Sequence, residues 1–162
     1  MKLISVFCFF LATVGFSASA KDLSKKNMDE ISVKSAWARA SVGRNGAVYI
    51  TLDNKSKSSY SLIGCVTDIA ERVELHSHLM DGTILRMRRV DSVEIPPGGT
   101  ISMVPGGLHI MLIGLKEKLR KGRTFPLTLK FVNSGEIDIS VQILGIGDMN
   151  QTHKKHGHQT EH

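Results

Sequence analysis

The sequence predicts an all-β fold, an antiparallel sandwich. Short apolar runs recur between residues 31 and 144, roughly seven to nine of them, closed by Gly, Pro or Asn turns. No stretch shows the 3.6-residue periodicity of a long amphipathic helix. Strands of this kind bury their apolar faces by packing two layers around one core.

The first twenty residues, "MKLISVFCFFLATVGFSASA", stand apart. Lys2 precedes an apolar run over residues 3–16, and Ala18-Ser19-Ala20 has the small-residue form of a cleavage site. Residues 1–20 therefore form a secretory signal peptide. The run is shorter than the about 20 apolar residues a membrane span requires. Bulky Phe7 before Cys8 argues against a lipid attached there. Cleavage after Ala20 would leave a periplasmic chain with a polar, flexible leader over residues 21–31 and one domain over 32–146.

Within the domain, "ISVKSAWARAS" alternates Ile31, Val33 and Ser35 with polar residues before Trp37. Residues 47–52 form the next strand, and "YSLIGCVT" another. "ERVELHSHL" places Val73 and Leu75 on one face and leads into a turn at Asp81-Gly82. "ILRMRRV" then sets Leu85, Met87 and Arg89 on one face. Two Gly-Gly turns, in "PPGGT" and "VPGGL", bracket a short strand before "LHIMLIGL". A charged connection, "EKLRKGRTF", leads to a last hairpin around Asn133-Ser134-Gly135.

The charge balance excludes several functions. Lys and Arg number 21 against 15 Asp and Glu, a modest net charge of +6. The basic residues are scattered, aromatics make up 6%, and no nucleic-acid motif is present. Signal cleavage would leave Cys65 as the sole cysteine, so no internal disulfide and no CxxC redox motif can form. Its apolar setting, "SLIGCVTD", predicts a buried structural thiol.

The seven histidines fall into two groups. His76, His78 and His109 lie in predicted strands, where Met80, Met87, Met103 and Met111 also crowd. His153, His156, His158 and His162 lie in "GDMNQTHKKHGHQTEH", a tail without an apolar pattern, expected to be disordered over residues 147–162 in the absence of metal. His109 and Met111 are two residues apart on one strand and so share a face. His76 and His78 share the face opposite Leu75. Singly, a strand histidine is often just hydrogen-bonded, and a methionine fills gaps in a core. Together, neutral thioether and imidazole donors suit Cu(I). They also avoid a thiolate that an oxidising compartment would threaten.

The spacing His76-x10-Met87-x21-His109-x-Met111 resembles the H-x10-M-x21-H-x-M pattern of the periplasmic PCu(A)C copper chaperones. The flanking segments "AWARA", "AVYITLDN", "VELHSH", "RMRRV", "EIPPGGT", "PGGLHIMLIGLKEKL" and "PLTLKF" resemble that family too, across about residues 32–144. The resemblance implies a cupredoxin-like Greek-key β-sandwich that binds one Cu(I) through His76, Met87, His109 and Met111. It implies delivery of copper to the CuA centre of cytochrome c oxidase. The acceptor would be cytochrome c oxidase subunit II or a thiol-bearing copper chaperone. His78 and Met80 lie near the first ligand and are placed to substitute or assist. The segment "RASVGRNGAV" departs from the family in lacking prolines.

The tail histidines, with Met149, resemble the His/Met-rich extensions of some family members. Such tracts suit Cu(II), Zn or Ni, so a second, weaker Cu(II) site is expected at His153, His156, His158 and His162. The sequence reads as a metal carrier and not an enzyme, because no nucleophilic triad, paired carboxylates or phosphate loop stands out. A blue-copper electron carrier would need a cysteine ligand, and Cys65 is not spaced with the His/Met set. The alternatives are a periplasmic copper-buffering protein for copper tolerance, with Zn or Ni on the tail, and a structural sandwich without metal.

Overall fold

The structure, a computed structural model, describes residues 30–132, 135–145 and 148. The signal peptide, nearly all of the leader, Asn133-Ser134 and the tail histidines lie outside the described residues.

Ten strands make up the described chain. They are β1 (Ile31–Arg39), β2 (Asn45–Asn54), β3 (Tyr60–Val66), β4 (Ala70–Asp81), β5 (Ile84–Arg89), β6 (Val93–Ile95), β7 (Thr100–Ser102), β8 (His109–Leu115), β9 (Thr124–Phe131) and β10 (Gly135–Leu144). The hydrogen-bonded order is β5-β4-β8-β2-β1-β10-β9-β3-β6, with β7 also paired to β2. Every pairing is antiparallel except β1 with β10. The result is the expected β-sandwich architecture.

Period-two alternation sets the core. Val48, Ile50 and Leu52 of β2, Leu75 of β4 and Ile110 and Leu112 of β8 point inward. They join Leu62 of β3, Leu127 and Leu129 of β9 and Val141 and Ile143 of β10 in one buried cluster. The odd-numbered residues of β2 and β8 and the even-numbered residues of β4 therefore point to the opposite, outer face.

One local expectation changes. Alternation alone put Ile31, Val33 and Ser35 on a single face. A register shift between Val33 and Ser35 of β1 leaves Ser35 opposite Thr51 and brings Ala36 opposite Ile50. Such a bulge inverts the parity of all that follows. Ala38 is consequently buried, and Trp37 turns to the outer face opposite Tyr49.

Cys65 is buried within the core, as expected. Burial pushes its thiol up to about 12, against about 8.5 for a free cysteine. The folded protein should resist iodoacetamide at pH 8, whereas the chain unfolded in urea should be alkylated readily, which mass spectrometry would read. Because the folded value is the higher, the contribution of this thiol to stability is complete below about pH 8.5 and declines as pH rises toward the folded value.

Candidate metal site

The predicted donors share the outer face of the β5-β4-β8 part of the sheet. His76 of β4 stands opposite His109, the first residue of β8. On the next rung Glu74 stands opposite Met111. On the other side of β4, Met87 stands opposite His78 and Arg89 opposite His76. Paired residues share a face, so Glu74, His76, His78, Met87, His109 and Met111 form one continuous surface.

A short turn orients two of the imidazoles. Gly106 takes φ 80°, a conformation open to glycine at little cost. The turn closes through hydrogen bonds from Gly107 N–H to the Val104 carbonyl and from Val104 N–H to the Leu108 carbonyl. This fixes the Gly107 carbonyl, which accepts hydrogen bonds from Nδ1–H of His109 at 2.9 Å and of His78 at 3.3 Å. A ring nitrogen facing a carbonyl must carry the proton. In its neutral form each of these imidazoles therefore carries its lone pair on Nε2. The "PGGLH" segment acts as a brace for the histidines.

His76 is held the other way round. Its Nε2–H donates to Glu74 Oε2 at 2.9 Å, leaving the lone pair on Nδ1. That Nδ1 is buried and has no hydrogen-bond partner. A buried polar atom without a partner is unfavourable by about 1–3 kcal/mol, which a bound metal ion would offset. A carboxylate behind a ligating imidazole also raises its basicity. Glu74 is kept charged well, its carboxyl held below the usual range chiefly by the hydrogen bond from His76, with Arg72 and Arg89 adding to it.

Burial grades sharply across the face. His109 is only 4% exposed, beneath the rings of Tyr49, His76 and His78 at centroid distances of 6.4, 5.8 and 5.4 Å. Burial pushes its pKa down, against the opposing hydrogen bond to Gly107. It is thus neutral at physiological pH, the state a metal ligand needs. Met87 is 46% exposed and sits on the β4–β5 hairpin, away from the core. An open hollow of about 270 Å³, lined in part by Tyr49, Ala47, Arg39 and Met111, borders the set on the β2 side.

Among the described residues, no three His, Cys, Asp or Glu side chains form a metal-binding group by themselves. Met87 and Met111 lie on the same face as His76, His78 and His109, and thioether donors beside imidazole suit a soft ion. Sequence reasoning missed Glu74, although its two-residue spacing from His76 places it on the same face. It also missed Tyr49, whose outward direction depends on strand register.

The chain matches the family model described as "Putative lipoprotein LpqE-like" over residues 31–143. It is 28% identical over 130 residues to "Putative lipoprotein Lxx21020" of Leifsonia xyli subsp. xyli, covering 80% of this chain and 78% of that one. It is similar to the solution structure of Cu(I)-DR1885 from Deinococcus radiodurans, with 30% identity and a TM-score of 0.56 over 70% of this chain and 76% of that one. The copper-bound PCuAC domain from PmoF2 shares the fold at a TM-score of 0.61 and 24% identity, over 72% and 93% of the two chains.

Proposed function

We propose, from the premise that the chain belongs to the LpqE-like, PCuAC-related family, that it is an extracytoplasmic copper carrier and not an enzyme. It binds one Cu(I) through His76, Met87, His109 and Met111 and passes the ion to an acceptor. The acceptor is the CuA centre of cytochrome c oxidase, reached through subunit II or a thiol-bearing copper chaperone, and the compartment is the periplasm. The observation that carries the reading is the buried, partnerless Nδ1 of His76 beside His109 and within a face that also holds two methionines.

The donor set explains how a carrier can both hold and release its cargo. Imidazole and thioether are neutral, so binding Cu(I) requires little proton release when the histidines are already deprotonated. Thiolates bind a soft ion more strongly, so a thiol-bearing acceptor would draw copper away. Relatives bearing lipoprotein names, and the copper forms of similar domains, support the location and the metal.

An anaerobic Cu(I) titration against a competing chelator tests the reading. One tight equivalent is expected on the folded domain. It should be lost in Met111→Leu, a change that keeps volume and apolarity but removes the sulfur. Trp37, the single tryptophan, stacks on Tyr49 at 4.5 Å and gives a fluorescence readout near the site. A titration in which Met111→Leu behaves as the unsubstituted protein would remove Met111 from the ligand set, and absence of any tight equivalent would end the copper-carrier reading.

A further inference from the structure

We propose that His78 is a copper ligand in its own right, forming with Met80, and with Met87 as a donor shared between the two positions, an outer Cu(I) position through which the ion passes to and from His76, His109 and Met111. This rests on the copper-carrier reading and adds to it a path and a fifth and sixth donor.

Strand register makes the first argument. Met87 is the direct cross-strand partner of His78, whereas His76 faces Arg89. Directly opposed residues have Cβ atoms about 4.5–5.5 Å apart, against about 7–8 Å for the diagonal. Met87 is therefore better placed for His78 than for His76. Met80 lies two residues beyond His78 on the same face, opposite Leu85.

Orientation makes the second. The Gly107 carbonyl that sets the tautomer of His109 sets that of His78 as well. A backbone carbonyl behind Nδ1, with Nε2 left to bind, is the usual support of a metal-ligating histidine. His78 has the same kind of support as His109, through a longer hydrogen bond of 3.3 Å against 2.9 Å.

Spacing and burial complete it. The His78 and His109 ring centroids are 5.4 Å apart and those of His76 and His109 are 5.8 Å apart. With an imidazole nitrogen about 2.1 Å from a metal, as at zinc sites, two rings on one ion have centres roughly 5–6 Å apart. His109 can thus share an ion with either neighbour. Exposure rises along the face from His109 at 4% to Met87 at 46% and Met80 at 66%. The rung of His76 and His109 is the last between β4 and β8, and beyond it His78 and Met80 lie on a two-stranded hairpin. His109 is the most buried donor of the set, so an ion bound to it would leave by exchanging one donor at a time. His78 and Met87 are the next donors outward, and the exchange needs no change in oxidation state.

The test uses the full chain loaded anaerobically with one equivalent of Cu(I). Stopped-flow transfer to a chromogenic Cu(I) chelator gives the rate, and equilibrium competition with the same chelator gives the affinity. His78→Gln is expected to slow transfer tenfold or more while affinity stays within about threefold, and His78→Met, which restores a soft donor, should recover the rate. In the unsubstituted chain, the His78 Nε2 resonance in long-range ¹H–¹⁵N spectra should shift or broaden as Cu(I) is added, a readout independent of any variant's folding. An unchanged rate with an unmoved His78 resonance overturns the outer position. So does a loss of affinity as large as that caused by removing His109, since His78 would then belong to a single closed site. If the unsubstituted chain binds no tight Cu(I), the carrier reading fails along with this one, whereas tight binding with an indifferent His78 removes only the outer position.

Discussion

Replacing His109 by leucine is expected to lower Cu(I) affinity by more than a hundredfold while the sandwich stays folded. Removing only a partner behind a ligand typically costs about 10–100-fold in metal affinity, and His109 is the donor itself. It is also the ring on which the others converge, lying under His76, His78 and Tyr49. Leucine fills a similar volume on a face already shielded from water, at the loss of one hydrogen bond to Gly107, worth about 1 kcal/mol. The metal-free variant should also differ in its response to acid. His109 has a folded pKa depressed by burial, so the unfolded chain takes up its proton first, near pH 6.5. The native protein therefore has the full contribution above about pH 6.5 and loses it as pH falls through the depressed folded value. His109→Leu removes that loss. Chelator competition and urea melts of the metal-free proteins between pH 7 and pH 5 would check both parts. A variant with unaltered affinity would place the metal elsewhere.

Asn54→Leu should cause the largest loss of stability, about 3–5 kcal/mol, or roughly 10–20 °C in Tm. Asn54 is buried at the end of β2. Its Nδ2 lies 2.8 Å from the Ser58 carbonyl, 3.1 Å from that of Ile95 and 3.0 Å from that of Pro96. An amide has two N–H groups, so one of these three contacts is shared. Its Oδ1 accepts the Ser56 N–H at 2.9 Å. One side chain thus joins the β2–β3 turn to the β6 end, and leucine would leave several backbone groups unpaired. Copper affinity should not change, because Asn54 lies at the opposite end of β2 from Ala47. Thermal melts of the metal-free variant decide it, and a shift of only a degree or two would mean that water replaces the amide.

The strand count shows where sequence reading stops. The long strands are visible because apolar residues alternate, as Phe125, Leu127, Leu129 and Phe131 do in β9, or run nearly unbroken between turns, as in β8. The three-residue β6 offers too few residues for a period, and β7 is legible only through the Gly-Gly turns that bracket it; pairing partners decide their place in the sheet. The bulge in β1 is likewise invisible. No residue in "ISVKSAWARAS" marks it, and its position follows from pairing with β2. On that bulge depends the outward direction of Trp37.

The candidate site divides in the same way. The sequence by itself determined which donors are present, that His109 and Met111 share a strand face, and that the donor chemistry is soft. Those are properties of residue type and of a two-residue period, and both are local. Only the tertiary structure decided which donors are neighbours. Register brings His76 to His109, sets Met87 against His78, and ends the β4–β8 ladder at the rung where burial begins to fall. The Gly107 carbonyl and the Glu74 carboxylate then fix which nitrogen of each imidazole is free. These are contacts between segments up to about thirty residues apart, and a side chain's partner across a sheet is set by strand order and register, which no single strand's sequence contains.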